Sequence, residues 1–128
     1  TLEESVKDLV NSINATSKVK ITHQITGLEN QTLKQELHLG VYRILQEQLN
    51  NVLKHAEASE VFIQLEHREN RLQLQVADNG KGFVMNNQKN GIGLVNMQTR
   101  AENLNGTFEI DSQPGKGCKI KVMLPCTR

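Results

Sequence analysis

A strip of polar residues on one predicted helix gives the first indication of chemistry. Positions 41–56 read VYRILQEQLNNVLKHA, and successive residues of a helix lie about 100° apart around its axis. This spacing gathers Arg43, Glu47, Asn51 and Lys54 within about 80° at the border of an apolar face, while Asn50 falls outside the strip. Half-buried side chains at such a border can reach a ligand. A solvated polar face would show the same mixture of charges.

Asp78 and a run of glycines give the second indication. Asp78 ends a predicted strand at a glycine-rich turn, where its carboxylate could accept from an exocyclic amine. An Asx-x-Gly turn alone would need no ligand. However, Gly80, Gly82, Gly91 and Gly93 flank a polar loop that leads into a helix N-terminus. Backbone N–H groups can approach an anionic phosphate closely at such a place.

Several function classes are disfavoured. The segment Gly91-Ile-Gly-Leu-Val-Asn96 lacks the third glycine of a dinucleotide fingerprint, and the chain has no G-x-x-x-x-G-K-[ST] motif. A net charge of +1, a single Tyr and no Trp give no indication of a nucleic-acid partner. No apolar run approaches the roughly 18 residues that span a bilayer. We therefore expect a cytoplasmic domain without direct membrane contact, whereas a membrane anchor elsewhere in the parent protein is left open.

The elements that must position these residues follow from hydrophobic spacing. Helical periods predict helices from Leu2 to about Ala15, over 32–56 with Thr32 as cap and Gly40 as a weak point, and from Gly91 until Gly106 supplies a left-handed residue. Alternation predicts strands at 18–26, 61–66, 71–76, 107–111 and 118–124. Segment 84–90 has no apolar period and is predicted to be a mobile loop.

This order of elements predicts one domain over 1–128, an α/β (α+β) two-layer sandwich. A mostly antiparallel sheet of about five strands would carry three helices on one face. The face of the central helix toward the sheet would consist of Val41, Ile44, Leu45, Leu49, Val52, Leu53 and Ala56. Cys118 and Cys126 lie at opposite ends of one predicted strand, which favours reduced thiols over a disulfide.

Three boxes of residues carry a family resemblance. They are Glu47-x-x-x-Asn51-x-x-Lys54, Asp78-x-Gly80-x-Gly82 and Gly91-x-Gly93-Leu94. In order and spacing they resemble the nucleotide-binding boxes of the GHKL ATPases, and most closely the ATP-binding domain of two-component sensor histidine kinases. Two segments, YRILQEQLNNVLKHAEASEV and GIGLVNMQTRAENLNG, are most similar to the nitrate-sensor and desaturase-regulator branch of these kinases. The implied fold is the Bergerat type.

The resemblance implies a role for each residue of the first box. Asn51 would ligate the Mg²⁺ that bridges the ATP phosphates, a role for which an amide oxygen is suited. Glu47 would polarise a water molecule or tune the shell of that ion. Lys54 would offset phosphate charge. These three are the expected catalytic residues, with Asn51 as the metal ligand.

The remaining boxes are expected to bind ATP. Asp78 would accept from the adenine N6 amine, while Gly80 and Gly82 would let the backbone approach the base. The list of expected binding residues is completed by Gly91, Gly93 and Leu94, which would bring helix N–H groups to the phosphates, and by Cys118. Segment 84–90 would be a short lid that orders on binding.

The sequence departs from the family pattern at two positions. Cys118 follows Gly117 where relatives often carry Thr or Ser, and Gln48 takes the place of a small residue.

His38 superficially resembles a phosphoacceptor but lacks the following acid and lies only nine residues before Glu47. We predict a surface or boundary histidine there, and for His55 a packing residue beside the pocket.

The resemblance implies γ-phosphoryl transfer from Mg-ATP to a histidine of an upstream dimerisation domain, and from there to a response-regulator aspartate. The partners would be ATP or ADP, that upstream domain and, indirectly, the response regulator. Three alternatives stay open: a GHKL serine kinase of the anti-sigma-factor type, a nucleotide-binding module without catalysis, and a soluble domain without a ligand.

Overall fold

The computed structural model describes residues 1–29, 31–83 and 91–126, and it describes side chains from residue 93 onward in the last range. It contains three α-helices, α1 (Leu2–Thr16), α2 (Gln35–Asn51) and α3 (Gly91–Asn103). The five strands are β1 (Lys20–Thr26), β2 (Glu60–Arg68), β3 (Arg71–Asp78), β4 (Thr107–Ser112) and β5 (Cys118–Pro125). The predicted mobile loop at 84–90 lies outside the described residues.

The strands form one mixed sheet in the order β1-β2-β3-β5-β4. Only β1 and β2 are parallel, since α2 connects them as a crossover, and the other three pairings are antiparallel. The pairing of β3 with β5 sets Asp78 opposite Cys118 at one end and Arg71 opposite Pro125 at the other. The prediction of a mostly antiparallel five-stranded sheet with three helices is confirmed.

Alternation along the strands produces the core. On β2, β3 and β5 every second residue is buried against the helices, as the period of a strand requires. From α2, the side chains of Val41, Ile44, Leu45 and Leu49 are almost completely buried in the same layer. Both cysteines are free thiols. No helix in the described parts of the chain has the length and hydropathy needed to cross a membrane.

The structure corrects the predicted course of α2. The helix begins after Lys34 rather than at a Thr32 cap, and it ends at Asn51. Residues Val52–Ala56 form a single π-helical turn, which Glu57 terminates in the left-handed conformation with φ 51°. A π turn is wider than an α turn, so the 100° projection becomes less accurate beyond Asn51. Leu53, predicted to be core, is 39% exposed, whereas Val52 in the same turn is buried as predicted.

The end of α3 also differs from the prediction. The left-handed residue is Asn105, with φ 63°, and the Gly106 N–H donates to the Ala101 carbonyl. Asparagine tolerates this conformation better than most residues. Gly106 has another role, because a Cβ there would collide with the Met123 carbonyl and the Leu124 side chain.

Candidate functional site

The Asp78 carboxylate lies at the end of the central strand β3 and is 9% exposed. Its Oδ1 accepts from the Gly80 N–H at 2.8 Å. Burial raises the pKa of the carboxyl above its usual value, and the N–H groups of Gly80 and Cys118 counteract part of this rise. An acceptor held in this way at the end of a strand is suited to a ligand N–H donor.

The glycines after Asp78 allow backbone segments to pack closely together. A Cβ on Gly80 would collide with the Ala56 carbonyl, and the Lys81 N–H donates to that same carbonyl at 2.8 Å. Gly82 has φ +62°, and a Cβ there would collide with the Gln113 carbonyl. The turn after β3 is therefore held between the π turn on one side and the β4–β5 turn on the other.

The buried side chain of Ser112 holds the same turn through two hydrogen bonds. The Ser112 hydroxyl accepts from the Phe83 N–H at 3.0 Å and donates to the Gly117 carbonyl at 3.1 Å. A Cβ on Gly117, which has φ +75°, would collide with the Asp78 carbonyl. The backbone around Asp78 is thus fixed by contacts from three separate parts of the chain.

The first turn of α3 lies against the polar strip of α2. A Cβ on Gly93 would be 2.8 Å from Glu47 Oε1 and 3.4 Å from both amide atoms of Asn51. A larger residue here would require the Glu47 side chain to move away from the start of the helix. The N-terminus of α3 therefore lies directly beside the Glu47 carboxylate and the Asn51 amide of α2.

A cavity of about 250 Å³ opens between these elements. Its walls combine apolar surface with a few polar groups, as is usual for a small-molecule site. It is lined by Gln48, Asn51, Val52, His55, Ala56, Asp78, Lys81, Gly82, Phe83, Leu94, Ile110 and Cys118. Burial, and then the negative charge of Asp78, raise the pKa of Cys118 to about 11, so this lining thiol is protonated at neutral pH.

Comparisons with known proteins agree with this geometry. Residues 36–128 match the family model of histidine kinase-, DNA gyrase B- and HSP90-like ATPases. The chain belongs to this ATPase family. The prediction of an ATP-binding domain of the sensor histidine kinase type is thereby confirmed.

Similar proteins include sensor protein VraS from two staphylococci. The chain is 33% identical over 129 residues to VraS of Staphylococcus epidermidis, which covers 100% of this chain and 36% of that protein. For VraS of Staphylococcus saprophyticus the identity is 35% with the same coverage. The chain therefore spans about a third of the length of these relatives.

Solved structures support the fold. The histidine kinase AdeS of Acinetobacter baumannii has a TM-score of 0.78 at 15% identity, over 98% of this chain and 65% of that chain. The histidine kinase domain of a blue-light activated kinase from Erythrobacter litoralis has a TM-score of 0.74 at 18% identity, over 98% and 59% of the two chains. The predicted α/β ATPase fold is shared with both.

The structure of this ATPase domain brings most of the predicted residues together. Five of them line the cavity: Asn51, Asp78, Gly82, Leu94 and Cys118. The Gly80 N–H donates a hydrogen bond to the Asp78 carboxylate. Glu47 and Gly93 contact each other next to Asn51, and α3 begins at Gly91. Lys54 lies in the same π turn as the cavity-lining Val52, His55 and Ala56, but its own side chain is exposed and does not line the cavity.

The donor set fits a phosphate-bound magnesium ion rather than an ion held by protein alone. Among the described residues, no group of three or more His, Cys, Asp or Glu side chains could hold a metal. A single amide oxygen from Asn51 next to phosphate oxygens would match the coordination preference of Mg²⁺, which usually binds few protein ligands together with substrate phosphates.

Two histidines can be placed. His38 is partly buried, and its Nε2 lies 3.4 Å from the Ser5 hydroxyl at the boundary of α1 and α2, as predicted. His55, predicted to be a packing residue beside the pocket, does border the cavity, but its side chain is exposed.

Sequence reasoning missed two polar contributors. Lys81 is an exposed cation on the cavity wall, and it stands between two glycines that were themselves recognised. Ser112 is buried at the end of β4, where strand alternation gives no signal for a serine. Only its contacts with Phe83 and Gly117 reveal what the hydroxyl does.

Proposed function

We propose that residues 1–128 form one catalytic ATP-binding domain, which binds Mg-ATP and transfers the γ-phosphoryl group to a histidine on a separate domain. One observation supports this most strongly. Asn51, Asp78 and Leu94 come from three separate segments of the chain and line one cavity. Each belongs to a different nucleotide-binding box of the sequence.

The base would occupy the end of the cavity near Asp78. One carboxylate oxygen is engaged by Gly80, and the remaining lone pairs can accept from the exocyclic amine of adenine. The apolar side chains of Val52, Phe83 and Ile110 line the same space and suit a flat ring. A cavity of about 250 Å³ fits the base rather than the whole nucleotide, so the phosphates would extend toward α3.

The phosphates would lie between the polar strip of α2 and the first turn of α3. Backbone N–H groups at the start of this 13-residue helix can donate to phosphate oxygens. Asn51 would ligate Mg²⁺, which offsets phosphate charge when bound, and Glu47 would hold a water molecule beside it. Lys81 is placed to add a positive charge at the wall, and Lys54 would need to swing in from the surface.

In the transfer step, no residue of this domain would form a covalent bond to the phosphoryl group. The bond from the γ-phosphorus to the bridging oxygen would break, a phosphorus–nitrogen bond to imidazole would form, the imidazole N–H proton would pass to solvent water, and ADP would leave. Positioning and charge neutralisation supply the rate. The phosphoacceptor histidine and its dimerisation helices would lie upstream in the parent protein, with a response regulator as the final acceptor and this domain on the cytoplasmic side.

Calorimetric titration of Mg-ATP tests the pocket. Asp78→Asn is expected to lower ATP affinity at least about tenfold, since a charged acceptor is lost from a partly desolvated site. The free Asp78→Asn domain should unfold at no lower temperature than wild type, because burial already disfavours the Asp78 charge. Asp8→Asn, an exposed change on α1, is the matched control and should bind normally.

A second pair of variants tests the metal ligand. Asn51→Ala should remove most of the Mg²⁺ dependence of ATP binding, whereas Asn50→Ala, at the exposed neighbouring position, should leave it intact. Absence of any heat and of thermal stabilisation at millimolar Mg-ATP would refute the proposal. Tight binding without phosphoryl transfer to a histidine-bearing helical domain supplied in trans would instead favour a nucleotide-binding module.

A further inference from the structure

Gln48 is a buried amide at the centre of the site. Its side chain is 3% exposed and lines the cavity together with those of Asn51 and Asp78. Gln48 Oε1 accepts from Asn51 Nδ2 at 3.4 Å, and Gln48 Nε2 donates to Cys118 Sγ at 3.8 Å. One residue therefore joins Asn51 on α2 to Cys118 on β5.

These contacts select one orientation of the Asn51 amide. An asparagine side chain has an acceptor oxygen on one side and a donor nitrogen on the other. Because Gln48 Oε1 engages Asn51 Nδ2, a flipped Asn51 would set two carbonyl oxygens against each other. The observed arrangement leaves Asn51 Oδ1 for a ligand.

Cys118 is the second hydrogen-bond partner of Gln48. The thiol sulfur receives the Gln48 Nε2 group, so Gln48 Oε1 faces Asn51. The main chain of Cys118 is paired with Asp78 and donates to its carboxylate. Hydrogen bonds thus run continuously from Asp78 through Cys118 and Gln48 to Asn51.

We propose that Gln48, held by Cys118, is a positioning residue that turns the oxygen of Asn51 toward nucleotide-bound Mg²⁺. The proposal rests on the proposed function, in which Asn51 is the metal ligand. It explains why two unusual residues, Gln48 and Cys118, occur together in one chain: each supplies the partner of the other.

The test compares ATP affinity in Mg²⁺ with ATP affinity in EDTA, measured by calorimetry, and takes the ratio as the Mg²⁺ dependence. Gln48→Met keeps the length and volume of the side chain but removes both polar atoms. We expect it to lower the Mg²⁺ dependence about fivefold, the equivalent of one net hydrogen bond, with little change in EDTA. Gln46→Met, the same change at an exposed position of α2, is the matched control and should alter neither affinity.

A double variant separates orientation from packing. In Asn51→Asp either carboxylate oxygen can ligate Mg²⁺, so orientation no longer matters. Adding Gln48→Met to Asn51→Asp should therefore leave the Mg²⁺ dependence nearly unchanged. The NMR signals of the Asn51 side-chain NH₂ group supply a readout without nucleotide, since they should shift in Gln48→Met and stay in place in Gln46→Met.

Three results would overturn the proposal. These are an equal loss of ATP affinity in Mg²⁺ and in EDTA, an unchanged Mg²⁺ dependence in Gln48→Met, and a full effect of Gln48→Met in the Asn51→Asp background. If Gln48→Met does not fold, Gln48→Asn, which stays polar but is too short to reach Asn51, takes its place with the same expectations. A wild-type Mg²⁺ dependence in Asn51→Ala would instead refute the proposed function at Asn51.

Discussion

The two ends of the central strands β3 and β5 differ in how their turns are built. At the end where Asp78 pairs with Cys118, three polar side chains are buried, namely Gln48, Asp78 and Ser112. At the end where Arg71 pairs with Pro125, the β2–β3 hairpin turns through two exposed residues. The same sheet therefore ends in a polar interior on one side and in a solvent-exposed turn on the other.

The exposed turn has simple requirements. Glu69 and Asn70 connect paired Arg68 and Arg71, and both have positive φ, 54° and 62°. This is the backbone pattern of a type I′ hairpin, in which Gly at the second position is favoured. Asn70 also accepts the Cys126 N–H through its carbonyl at 2.8 Å. The turn reverses the chain and holds the segment after β5 by this one backbone hydrogen bond.

The Asp78 end contains close backbone contacts and buried polar side chains that a simple turn between two strands does not require. Its glycines let backbone segments approach the carbonyl groups of Ala56, Gln113 and Asp78 closely. Its buried hydroxyl, amide and carboxylate each need a hydrogen-bond partner. Burying these groups fixes their positions beside the cavity. Substitutions at the two ends should consequently differ in size and also in what they affect.

The largest effect is expected at Gly117. Gly117→Ala combines φ +75° with a collision against the Asp78 carbonyl, so it should destabilise the domain by about 3 kcal/mol and displace the Asp78 turn. Gly115→Ala is the matched control in the same turn, because φ is +79° but nothing lies within 4 Å of its Cβ. It should cost only about 1 kcal/mol. Urea unfolding of both variants measures the difference, and equal losses would contradict the argument from backbone contact.

An intermediate effect is expected at Ser112. Ser112→Ala leaves the Phe83 N–H and the Gly117 carbonyl without their partner, which should cost about 1–3 kcal/mol and weaken Mg-ATP binding. The exposed Ser12→Ala on α1 should change stability by less than about 0.5 kcal/mol. Thermal unfolding and calorimetry together check this. Unchanged binding in a destabilised Ser112→Ala domain would show that the serine serves the fold alone.

The smallest effect is expected at the opposite end. Replacing the hairpin residues by Glu69→Asn and Asn70→Gly provides the preferred type I′ pair and should stabilise the domain by about 0.5–1 kcal/mol. ATP affinity should stay at the wild-type value, since the turn is at the far end of the sheet from Asp78. A change in affinity would mean that the two ends are coupled through the strands.

Much of this protein could be predicted from the sequence because the signals are local. Alternation of apolar residues determines the strands, and the helical period determines the buried face of α2 as far as Asn51. Spacing along the chain also singles out Asn51, Asp78 and Gly82, the family resemblance adds Leu94, and the structure gathers all four around one cavity. Each of these residues occurs at the end of a predicted element or on a predictable face.

The tertiary structure decided what local spacing cannot express. The π turn at Val52–Ala56 presents the Ala56 carbonyl to Lys81, and in this turn Val52 is buried while Leu53, Lys54 and His55 are exposed. Ser112 and Gln48 become parts of the site only through partners 29 and 70 residues away, Phe83 and Cys118. Periodicity reports which face a side chain occupies, whereas the partner of a buried polar group depends on which distant segments the fold brings within hydrogen-bonding distance.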